Sequence, residues 1–243
     1  MLGILLDAAT IFFFMYMFKR CAVKTQLKNA VESLMFAASA FVAVPIGVFL
    51  GNFCYSNFFR PVIVDRVETL VTTSADVDTS MNSIERIMSG MPTMVNNGAR
   101  IYHTISGDNL NQINKLLAGD LSTATGEIVD IIARPVIDGV VRALFFAIAF
   151  AGCYRLFRAF YPTIEAYFYN PDRAAVSPTN GMVLGAGKVV VIFLIILSMI
   201  QLVGPVLPDF ILFRPELYSQ SFIFKLFNEN NLIMLFLGEG LTA

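Results

Sequence analysis

SLMFAASAFVAVPIGVFLGNFCYSNFF, residues 33–59, contains no Asp, Glu, Lys or Arg. A bilayer core asks for about 20 apolar residues of helix, and this run exceeds that. The whole chain agrees with its reading. It is 56% hydrophobic and 14% charged, with mean hydropathy +0.68. Soluble domains carry about 25% charged residues. A water-soluble fold of this length could not hide so much apolar surface. Pro45, Gly47 and Gly51 fall in the second half of the run, which predicts a kink or a close helix contact there.

Three further runs flank it. Residues 2–18 form the first. Its basic residues (Lys19, Arg20, Lys24 and Lys28) follow the apolar stretch, whereas a signal peptide places them before it. The run therefore reads as an uncleaved span. Residues 140–157 can span if Arg142 and Arg155 snorkel to the two interfaces. Pro135 suits the first turn of that helix. Residues 181–203 form the fourth run, broken only by Lys188, with Asn180 as its expected N-cap. The expected fold is all-α: a polytopic membrane protein with four transmembrane helices and an extracytoplasmic helical cap. Residues 1–60 hold the first two helices, 61–137 the cap, 138–204 the last two helices, and 205–243 an apolar tail.

Orientation follows from the positive-inside rule. The connections around Lys24 and around Arg155, Arg158 and Arg173 are basic and should be cytoplasmic. Both termini and the acid-rich segment 61–137 should then lie outside. Within that segment Val77, Met81, Ile84, Met88 and Met91 recur at helical spacing. Leu110, Ile113, Leu116 and Leu117 repeat the pattern, as do Ile128, Ile131 and Ile132. These predict two or three short amphipathic helices, packed on each other as a cap or lying on the outer membrane surface. The tail pieces 210–213, 222–227 and 232–237 are too short to span. They predict interfacial segments or helices docked on the outer domain.

The chemistry-bearing residues are few. Cys21, Cys54 and Cys153 lack metal or redox spacing, and His103 stands alone. No catalytic, cofactor-binding or metal constellation is legible, so an enzyme is not expected. A net charge of -1 gives no field for nucleic acid. Gly181, Gly185 and Gly187 offer a small-residue face for helix packing. Asp7, Arg142 and Lys188 are the candidate functional charges, because ionisable groups inside a membrane are costly. Asp130, Arg134, Asp138 and Arg142 fall at four-residue steps with alternating sign, and read as a structural stripe at the outer interface. The expected partners are the lipid bilayer and either another membrane protein or a second copy of the chain.

The layout resembles the colicin V production protein (CvpA) family. Asp7 opens the first span. Arg20, Lys24 and Lys28 resemble that family's basic run at the start of its second helix. Gly181-Met-Val-Leu-Gly185-Ala-Gly187-Lys188 is similar to its Gly-x-x-x-Gly-x-x-Lys/Arg-Gly element. Cys21, Thr25 and Val189 depart from the pattern. The resemblance covers residues 1–60 and 138–204. It implies a bacterial inner-membrane factor for toxin production or export, or for envelope homeostasis, acting through partners and without catalysis. The alternative from the residues alone is a small transporter or channel with a charged path through the bundle.

Overall fold

The computed structural model describes residues 2–73, 87–88, 91, 95, 108–117, 121–168, 178–207 and 220–238. Among them there are helices and no strand. The helices are α1 (Leu2–Ala22), α2 (Gln26–Cys54), α3 (Arg60–Thr73), α4 (Asp108–Leu117), α5 (Leu121–Ala159), α6 (Tyr161–Phe168), α7 (Pro178–Val203), α8 (Phe222–Glu229) and α9 (Leu232–Leu237). Three stretches are long and apolar enough to cross a membrane: Gln26–Thr69, Ala124–Phe168 and Thr179–Val203.

The α1–α2 corner is locally encoded. Lys19 and Arg20 sit in the last turn of α1, where cations favour the helix dipole. Thr25 caps α2, its hydroxyl accepting from the Lys28 amide at 3.3 Å. Asn29 Nδ2 donates to the Cys21 carbonyl at 2.7 Å and so closes the end of α1. From that corner α1 packs along α7, while α2 packs along α5 and α7.

The contact between α2 and α5 rests on two glycines. A Cβ added at Gly47 would lie 3.1 Å from the Arg142 carbonyl and from Phe146 Cβ. One at Gly51 would lie 2.8 Å from Asp138 Oδ1 and would strike the Arg142 side chain. The expected contact near Pro45 is therefore an approach of α5 to a small-residue face. Below it Ala40, Ala43, Ala143, Phe146, Leu202, Ile233 and Leu237 form a buried apolar layer.

Past Cys54 the chain makes one π-helical stretch, Tyr55–Phe59, and continues as α3. There a second core forms. Ile63 and Val67 of α3 meet Ile113 of α4 and Ile128, Val129 and Ile132 of α5. Met88 and Met91 join them, while Val77, Met81, Ile84 and His103 lie outside the described residues.

Four expectations need correction. Pro135 does not start the third long helix; it lies inside α5, which begins at Leu121. Membrane helices tolerate an internal proline where neighbouring groups re-satisfy the backbone it frees. Asn180 is not the N-cap of α7, which starts at Pro178, a residue suited to a first turn. Arg142 does not snorkel: it is 1% exposed. Of the tail pieces, 210–213 lies outside the described residues, and 222–227 and 232–237 pack on the bundle helices rather than on the outer domain. α8 packs on α1 and α7, and α9 enters between α2, α5 and α7.

Candidate functional site

The charged residues of the bundle gather in separate networks at different levels. At the end nearest the α1–α2 corner, Glu32 accepts from Lys24 Nζ at 2.9 and 2.7 Å and from Lys188 Nζ at 2.5 Å. Lys188 also stands 5.2 Å over the Phe36 ring. Ser33 Oγ donates to the Leu184 carbonyl at 2.7 Å and accepts from the Lys188 amide at 3.3 Å. It thus stitches α2 to α7.

The glycine face predicted on α7 meets this same corner. A Cβ at Gly181 would lie 2.9 Å from the Cys21 carbonyl. One at Gly185 would lie 2.5 Å from Cys21 Sγ and 2.7 Å from its Cβ. Gly187 has only an ordinary 3.7 Å approach to Ser33 Cβ. Gly185→Leu is expected to destabilise the protein by about 1–3 kcal/mol, the usual overpacking range. Thermal unfolding in detergent reads this directly, and an unchanged midpoint would remove Gly185 from the contact.

Further along α2 the second network is fully enclosed. Arg142 Nε and one terminal nitrogen grip Asp138 at 3.0 and 2.8 Å. That terminal nitrogen also donates to Asn52 Oδ1 at 2.8 Å, and the other donates to the Leu237 carbonyl at 2.7 Å. Asp138 is 0% exposed. A bidentate pair with this many charge-assisted bonds is how a buried guanidinium is held. Beyond it, Asp130 accepts from the Tyr55 hydroxyl at 2.9 Å and from Arg60 Nε at 2.9 and 3.0 Å.

The four-residue charge series therefore sits on one continuous helix but does not act as one stripe. Asp130 turns to α3, whereas Asp138 and Arg142 turn inward to α2 and α9. Arg134 lies 3.9 Å from Asp138 at the margin.

Asp7 has a third role. Its carboxylate accepts from the Ser221 hydroxyl at 2.5 Å, the Ile223 amide at 3.0 Å and the Phe222 amide at 3.2 Å. It supplies acceptors to the exposed amides that open α8. Ser221 caps the same helix, accepting from Phe224 at 3.1 Å. Replacing the acid with an amide turns one acceptor oxygen into a donor facing donors. Asp7→Asn is therefore expected to weaken the hold of α1 on the start of α8. Loss of protease resistance at residues 220–238 checks it; retained resistance would show that Asp7 does not hold the tail.

Asp7, Arg142 and Lys188 are thus not brought together. Glu32 and Asn52 lie about 30 Å apart along α2, at about 1.5 Å per residue. The apolar layer of Ala40, Ala43, Ala143 and Phe146 fills the space between. Sequence reasoning missed Glu32, Asn52 and Asn231. Glu32 had a signal, since it follows Lys24 and Lys28 at four-residue steps.

Among the described residues no three His, Cys, Asp or Glu side chains gather. Cys21, Cys54 and Cys153 are free thiols. The described arrangement binds helices to one another. No family model, curated protein or solved structure matches the chain.

Proposed function

We propose that the chain is a four-span integral membrane factor that works through protein partners, without catalysis. In this reading α1 is the fourth span. Its 21 residues reach about 31 Å, and Ile4, Leu5, Ile11, Phe12 and Met15 present an apolar face outward. Basic residues Lys19, Arg20, Lys24, Arg155 and Arg158 gather toward the Glu32 end, which is then cytoplasmic. The core around Ile63, Ile113 and Ile128 is then an extracytoplasmic cap, and both termini lie outside. The resemblance to the colicin V production family supports a place in the bacterial inner membrane, in toxin production or export or in envelope homeostasis.

One observation carries the preference for a factor over a transporter. Asp7, Glu32, Asp138, Arg142 and Lys188 are each engaged in a local network, with a packed apolar layer between the Glu32 and Arg142 levels. A coupled path needs titratable groups that share a cavity. The test is ion and proton flux through purified protein in sealed vesicles. Flux equal to that of protein-free vesicles is expected. Flux that disappears in Glu32→Gln or Asp7→Asn protein of normal stability would establish the transporter instead.

A further inference from the structure

The Glu32 end of the bundle carries a charge excess. Lys24 and Lys188 share the Glu32 carboxylate. Lys19, Arg20, Lys28, Arg155 and Arg158 join them there, and among the described residues Glu165 is the one further carboxylate at that end. Seven cations thus face two anions. The connection 169–177, which links α6 to α7, adds Asp172 and Arg173. These cancel, so the excess is five whatever position that connection takes.

Two side-chain series meet at this end. Lys28, Glu32 and Phe36 recur every four residues on α2 and share one face. Tyr154, Arg158 and Tyr161 follow one another at four and three residues, on α5 and its continuation into α6. The helical path survives the joint, because the Phe160 amide donates to the Phe157 carbonyl and the Ile164 amide to the Phe160 carbonyl, each at 3.1 Å. The series run antiparallel. The Phe36 and Tyr154 rings lie 4.5 Å apart, centre to centre, and Lys28 Nζ stands 6.0 Å over the Tyr161 ring. Arg158 falls between, level with Glu32, and the Tyr154 hydroxyl is within electrostatic reach of both. Lys28 and Arg158 are exposed, whereas Phe36, Phe150 and Tyr154 are half-buried.

We propose that Lys28 and Arg158 bind the phosphate of an anionic phospholipid in the leaflet at this end, across the seam of α2 and α5. On the four-span reading above, on which this rests, these groups stand at the cytoplasmic surface. Tyrosines mark headgroup depth, and Tyr154 and Tyr161 flank Arg158. A phosphate there meets an ammonium and a guanidinium from two helices, in the charge-assisted pairing that such cations favour. The charge excess selects the lipid class. Phosphatidylethanolamine would bring its own ammonium into a region already rich in cations, whereas phosphatidylglycerol lowers the excess by one. Below the headgroup, Phe36 and Phe150, with ring centres 5.7 Å apart, give the acyl chains an aromatic wall. Basic clusters between helices on the cytoplasmic side recognise anionic headgroups in this way. An acidic protein segment would have to displace lipid already standing at that depth.

The experiment is native mass spectrometry of the full chain in detergent, titrated with phosphatidylglycerol, phosphatidylethanolamine or glycerol 3-phosphate. Phosphatidylglycerol is expected to bind about tenfold more tightly than phosphatidylethanolamine. Glycerol 3-phosphate, a headgroup without chains, is expected not to displace it. Lys28→Gln and Arg158→Gln should each weaken phosphatidylglycerol binding by about fivefold. Lys28→Arg with Arg158→Lys keeps both charges and should keep the affinity. Lys225→Gln removes the same charge from α8 and should leave the affinity unchanged. Equal affinity for the two lipids would overturn the proposal, as would full affinity in Lys28→Gln with Arg158→Gln. An equal loss in Lys225→Gln would reduce the effect to overall charge and remove the site. Displacement by glycerol 3-phosphate would make it a site for soluble anions instead. A chain found only in the soluble fraction would overturn the membrane reading as well; an integrated chain without lipid preference would overturn the lipid site alone.

Discussion

Arg142→Leu is expected to destabilise the protein by about 3–5 kcal/mol, the cost of breaking a buried pair from one side. The change leaves Asp138, which is 0% exposed, as an unpaired carboxylate inside the bundle. It also strips Asn52 Oδ1 and the Leu237 carbonyl of their donor. A companion variant separates charge burial from packing. Arg142→Leu with Asp138→Leu removes both charges, and replacing a whole buried pair with apolar side chains is often neutral. It is expected to recover most of the loss. Thermal unfolding of the variants in one detergent measures both. A single variant as stable as the parent would mean that the guanidinium is not buried where α2, α5 and α9 meet.

Gly51→Leu is expected to cost about 3 kcal/mol, at the top of the overpacking range. A Cβ alone would already meet Arg142 and Asp138 Oδ1, the latter at 2.8 Å. The branched side chain has to push α5 away or displace the ion pair. Gly185→Leu meets the small Cys21 side chain instead, so its expected effect is smaller. The ordering of the two midpoints is the informative result. An effect at position 185 larger than at 51 would place the tightest helix contact at the other end of the bundle.

Much of the bundle was readable because a span is a local property. The run 181–203, broken only by Lys188, became α7, Pro178–Val203, and the uncharged run 33–59 became α2 and its π-helical continuation. The methionines Met88 and Met91 with Ile113 and Ile128 did pack together, as their helical spacing predicts. What was not readable depends on partners distant in sequence. Nothing local distinguishes an arginine that snorkels from one buried against Asp138. That difference is made by Asn52 and Leu237, each about 90 residues away. The same holds for Asp7, whose partners Ser221 and Ile223 lie at the other end of the chain. The tail helices did leave a trace: Ser221 and Asn231 are cap residues ahead of two apolar pieces too short to span.

The most direct test of the four-span account is the side on which α1 begins. A cysteine placed ahead of Met1 and a Lys24→Cys variant, each without the native cysteines, are labelled with an impermeant maleimide on intact cells. If α1 crosses the membrane, the N-terminal cysteine reacts at once. Lys24→Cys and Arg158→Cys then react only after permeabilisation. Equal reactivity of the N-terminal cysteine and Lys24→Cys would put both ends of α1 on one side and leave three spans.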